Sequence, residues 1–91
     1  MDFIISKGTD KTVCEIKLST NTKCKQGYIK QIREYATAER TDNMVFVLIN
    51  LDDSDIVKDI ELLNKEDQKN KVIYPKLIVI NAMKKPSASK I

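Results

Sequence analysis

The chain has 91 residues, enough for one small domain whose core is marginal in size. Sixteen basic against thirteen acidic side chains leave a net charge of +3, which by itself does not specify a polyanionic partner. Histidine is absent, and this excludes histidine general bases, histidine-ligated zinc and the usual serine or cysteine triads. Cys14 and Cys24 have no C-x-x-C spacing and read as reduced thiols, Cys14 on the apolar side of a strand. No apolar run approaches membrane-spanning length and nothing resembles a signal peptide. A cytoplasmic protein without a membrane partner is expected.

In chain order, residues 2–7 (DFIISK) and 12–19 (TVCEIKLS) are β-rich runs around GTD, which reads as a hairpin. Residues 27–39 (GYIKQIREYATAE) have helical spacing, with Tyr28, Ile32, Tyr35 and Ala36 on one stripe and a start at Gly27 or Thr22. Residues 43–51 (NMVFVLINL) are a continuous apolar run, the pattern of a strand covered on both faces. Residues 54–68 (SDIVKDIELLNKEDQ) predict a second helix, with Ser54 as its cap, Asp55 at its positive end and Ile56, Ile60 and Leu63 as its buried stripe. Residues 76–82 (KLIVINA) form a last strand after Pro75, and 84–91 a flexible basic tail. The order β-β-α-β-α-β makes residues 1–83 one α/β core. Its sheet is mixed: an antiparallel hairpin joins a right-handed β-α-β unit, and helices cover it.

The hairpin fixes which side chains meet. A two-residue Gly8-Thr9 loop suits a type II′ turn, because glycine supplies the positive φ at its first position. Lys7 then faces Asp10, and counting back along both strands places Asp2 opposite Glu15, with Lys17 on the same face. Opposed side chains have Cβ atoms roughly 4.5–5.5 Å apart, where like charges repel. Two such carboxylates call for a cation. Magnesium takes oxygen ligands and keeps several waters, so two carboxylates and a substrate phosphate suit it. Lys17 is placed to position a water or to stabilise charge on a phosphate. The competing reading is a solvated strand face with a weak ion pair. A second acidic group, Asp52, Asp53 and Asp55, follows a buried strand. Helix capping is its simpler explanation, and a magnesium-binding regulatory domain the alternative.

DFIISKGTDKTVCEIKLSTN, followed by GYIKQIREYA, resembles the core of the PD-(D/E)xK, or restriction-endonuclease-like, nuclease superfamily. There an Asp at a strand start is followed by a turn and by E-x-K on the paired strand. In the RecB-like branch a helix then carries a glutamine and, four residues later, an aromatic. The matching positions are Asp2, Glu15, Lys17, Gln31 and Tyr35, and the likeness extends over roughly residues 2–82. It implies a restriction-endonuclease-like core and a magnesium-dependent deoxyribonuclease, with manganese as a substitute metal. Asp2 and Glu15 would be the metal ligands, Lys17 the catalytic lysine, and Gln31 a contact to substrate or metal water. DNA is the implied partner, with Lys23, Lys25, Lys30 and Tyr35 as candidate contacts. The alternative is a catalytically inactive nuclease-fold module that binds nucleic acid or a protein. The sequence departs from the superfamily in two ways. No proline precedes Asp2, and the helix and strand that normally lead into the motif Asp have no counterpart before it. The chain then reads as the C-terminal part of a larger nuclease domain. Apolar surface on DFIIS and TVCEIKL is left uncovered, which predicts a homo-oligomer or a partner chain that completes the fold.

Overall fold

The Gly8 turn sets the first half of the structure. In the computed structural model, which describes residues 2–52 and 54–82, Gly8 has φ +63°. Positive φ values outside glycine fall, among the described residues, at Arg40 and Lys71, so Thr9 keeps an ordinary φ. A positive angle at the first turn residue alone is the type II′ pattern, whose twist matches the flanking strands. Strand β1 (Asp2–Lys7) and strand β2 (Asp10–Leu18) pair antiparallel from Lys7 against Asp10 to Asp2 against Glu15. The predicted register is the observed one.

After β2 one helix, α1, runs in three stretches: α-helical Cys24–Gln26, π-helical Gly27–Gln31 and α-helical Ile32–Ala38. It starts between the two expected positions. Strand β3 (Met44–Asn50), helix α2 (Asp55–Lys69) and strand β4 (Lys76–Asn81) follow. The sheet order is β1-β2-β3-β4, with β2, β3 and β4 mutually parallel. The described residues thus form a mixed α/β fold with a four-stranded mixed sheet and two helices. No helix among the described residues is long and apolar enough to cross a membrane. The basic tail expected at 84–91 lies outside the described residues.

Both helices pack on one side of the sheet. Val13, Met44, Phe46 and Leu48 meet Cys24, Tyr28, Ile32 and Ala36 of α1 and Val57 and Ile60 of α2 in a single core. Every one of those strand residues lies on the same face, since cross-strand partners and alternate positions share a side. Phe46 and Tyr28 meet edge to face at 5.6 Å. The expectation that β3 is covered on both faces is therefore corrected. Its second row, Val45, Val47 and Ile49, is half-buried and belongs to no core. A continuous apolar run reports apolar surface, not the element that covers it.

Helix α2 differs from expectation in two further details. Its fully buried positions are Val57, Ile60 and Asn64, with Ile56 and Leu63 half-buried, so the buried stripe is rotated by about one residue. Ser54 has the extended backbone of a cap residue, yet its side chain makes no capping hydrogen bond and its buried Oγ has no partner among the described residues. The rotation has a cause in Asn64. Its Nδ2 donates to the Tyr28 hydroxyl at 3.1 Å and to the Pro75 carbonyl at 2.9 Å, while its Oδ1 accepts from Gln68. The Tyr28 hydroxyl donates in turn to Asp67 at 2.9 Å, and Arg33 donates to the same carboxylate at 3.0 Å. These bonds fasten α1 to α2.

Candidate functional site

Strand β2 presents Glu15 and Lys17 on the helix-facing side of the sheet, and α1 crosses directly above them. Glu15 is only 2% exposed. The Lys17 side chain is 15% exposed, with Nζ 3.6 Å from Glu15 Oε1. This is not a solvated strand face. The second carboxylate oxygen, Oε2, is buried and has no hydrogen-bond partner among the described residues. Burial raises the Glu15 pKa above the ordinary carboxylate value, and the nearby Asp2 carboxylate raises it further, against the opposing pull of Lys17.

The close crossing depends on Gly27, the first residue of the π-helical stretch. A Cβ there would stand 3.1 Å from Lys17 Cε and 3.5 Å from both Glu15 Oε1 and Phe46 Cε1. A glycine inside a helical pattern with a packing reason is the sequence signal that could have marked it. π-Helical turns of this kind are frequent at functional sites. Cys24, three residues earlier, is fully buried, and burial raises its thiol pKa, with Lys17 and Glu15 both within electrostatic reach. Both cysteines are free and buried.

The other predicted residues fall at differing distances from this pair. Asp2 is exposed at the start of β1, opposite Glu15. Tyr35 is half-buried against the core, and its hydroxyl pKa is raised by desolvation first, then by the charges of Glu39 and Asp2. Gln31 closes the π-helical stretch, half-buried, and among the described residues it makes no side-chain hydrogen bond to Asp2, Glu15 or Lys17. Lys23, Lys25 and Lys30 are exposed. Lys25 lies 3.9 Å from Asp59 of α2, and Lys30 lies 3.9 Å from Glu34 one turn on. Asp52 accepts a 2.8 Å hydrogen bond from Ser19, whose hydroxyl also accepts from the Leu51 amide. That joins the ends of β2 and β3. Asp55 sits in the first turn of α2, and Asp53 lies outside the described residues.

The donor set decides which metal could fit. Among the described residues no group of three or more His, Cys, Asp or Glu side chains could hold an ion. Asp2 and Glu15 are two hard oxygen donors, one with an orphaned buried oxygen. They suit a cation that completes its shell with water and substrate oxygen, as magnesium does. They do not suit zinc or a caged calcium ion.

Residues 1–53 match a family described as a domain of unknown function, DUF8371. No curated protein and no solved structure matches the chain. The matched segment contains Asp2, Glu15, Lys17 and Gly27, and the chain belongs to this family.

Proposed function

We propose that this member of the DUF8371 family is a magnesium-dependent deoxyribonuclease with a restriction-endonuclease-like core. One observation carries the reading: among the described residues the buried Glu15 Oε2 has no hydrogen-bond partner, Asp2 stands opposite it, and Lys17 lies 3.6 Å from its other oxygen. A buried anion left half-satisfied costs stability, and a chain keeps such a group where a ligand completes it. Asp2 and Glu15 would hold magnesium, or manganese in its place. When bound, the ion supplies a water of lowered pKa and polarises a phosphodiester.

The chain's own groups do the rest. Lys17, held by Glu15 and flanked by Gly27, orients its ammonium group toward the phosphate and offsets charge that develops there. Gln31 and Tyr35, both on α1, contact the substrate. Lys23, Lys25 and Lys30 contact backbone phosphates, since ion pairs this exposed exchange readily with a polyanion. The 2% exposure of Glu15 favours a second reading, a module that keeps the nuclease fold and binds DNA or a protein without cutting.

Magnesium titration by calorimetry beside a plasmid-cleavage assay separates the two. Glu15→Ala is expected to abolish both metal binding and cleavage. Lys17→Ala is expected to keep metal binding and lower cleavage by about 10²–10³-fold. Cleavage that survives Lys17→Ala would remove the catalytic reading, and a wild-type chain that binds magnesium and DNA without cleavage would select the binding module.

A further inference from the structure

The sheet face turned away from the helices is apolar over β2, β3 and β4 and the start of β1, and turns polar at Thr12, Lys7 and Asp10 toward the Gly8 turn. Its cross-strand rows are Phe3–Cys14–Val45–Lys76, Ile16–Val47–Ile78 and Leu18–Ile49–Ile80. Phe3, Leu18, Ile78 and Ile80 are 38–47% exposed, and Ile5 beyond the first row is 56% exposed. A sheet with one wet face normally alternates apolar inside with polar outside. Here the side that should be polar is lined by valine and isoleucine.

We propose that two copies of this chain pack these faces against each other as a two-fold dimer. Area supports a second copy. The three rows hold ten positions, and strands about 4.8 Å apart with same-face rows about 6.8 Å apart give each face a footprint of about 330 Å². Two faces, whose accessible area exceeds their footprint, reach the order of 1,000 Å² at which specific interfaces begin. Charge supports it too, because Lys76 at one corner is the only ionisable side chain in the three rows apart from the buried thiol of Cys14. The central Val47 row meets nothing repulsive in its own image. Short β-branched side chains also suit two sheets stacked about 10 Å apart. The arrangement does not depend on nuclease activity, and it leaves Glu15 and Lys17 free on the helix side.

Sedimentation velocity on the full chain from about 1 μM to about 300 μM tests this. A reversible monomer–dimer equilibrium within this concentration range is expected, as suits an interface at the small end of the specific ones. Val47→Asp, at the centre of the face, is expected to give monomer throughout. Ile80→Lys, at the rim, guards against a central variant that fails to fold, and is expected to weaken association at least about tenfold with an unchanged circular dichroism spectrum. Leu62→Asp, 58% exposed on α2, is expected to leave the dimer intact. A wild-type monomer at every concentration would overturn the proposal, as would a dimer indifferent to both face variants. A monomer that floats with zwitterionic lipid vesicles would also overturn it, by assigning the face to a membrane.

Discussion

Glu15 is held between two demands, because its carboxylate is taken out of water and one of its oxygens finds no partner among the described residues. Its folded-state pKa is raised above the unfolded one, chiefly by burial. The native state then binds the proton more tightly, so stability in metal-free buffer falls as pH rises from about 4.5 through the raised value, and levels off above it. Glu15→Gln is expected to flatten that slope and to raise the metal-free melting temperature at neutral pH, with urea unfolding in chelator as the measurement. Identical slopes for the two proteins would show that the carboxylate ionises without cost. Gly27 makes a different kind of prediction. Gly27→Ala gains about 0.8–1 kcal/mol of helix propensity but sets a methyl 3.1 Å from Lys17 Cε. Stability should stay within about 1 kcal/mol of wild type, since the lysine chain can yield. Gly27→Val, which also crowds Phe46, should cost about 1–3 kcal/mol by denaturant titration. The facing of Asp2, Glu15 and Lys17 was legible in the sequence, because strand alternation and a two-residue turn determine it. The depth of Glu15 was not, because it depends on a helix that approaches over a glycine.

Both helices end in the same way, with a basic residue in the left-handed region. Arg40 has φ 57° and Lys71 φ 56°. Around Arg40 the Thr41 amide donates to Ala36 and the Arg40 amide to Thr37, and Val72 and Lys71 repeat the pattern on Asp67 and Gln68. These are Schellman closures, which glycine usually supplies. Arg40→Gly and Lys71→Gly should therefore each stabilise the fold, by about 0.5–1 kcal/mol, less whatever favourable charge the helix end loses. At the other end of α2 the expectation reverses. A working serine cap is worth about 1 kcal/mol, but Ser54 makes no capping bond, so Ser54→Ala should move stability by less than about 0.5 kcal/mol. Thermal unfolding of the three variants checks both statements. The existence and order of the elements were readable from periodicity and turn chemistry. The π-helical turn was not, since Tyr28, Ile32 and Ala36 give the same stripe whether or not the backbone widens between them. Asn64 was equally hidden, because its partners Tyr28 and Pro75 are 36 and 11 residues away.

Across the whole molecule, each strand pairs with its neighbour in sequence, and both connecting helices return over the same side. The mixed sheet and its parallel half follow from the β-β-α-β-α-β order. Which face stays open does not, because NMVFVLINL reads alike for a strand between two layers and for one still awaiting its second. The open face gives the folded state an unusual dependence. If a second copy covers it, unfolding must first separate the pair, and the chain's own concentration enters the folding equilibrium as a stabilising ligand would. Well above the dissociation constant, each tenfold increase in protein should then raise the stability per protomer by about 0.7 kcal/mol, half of the tenfold increment because two protomers share one interface. A melting temperature that climbs with concentration for wild type and stays level for Val47→Asp would measure it. Dilution alone would then shift this protein toward its unfolded state.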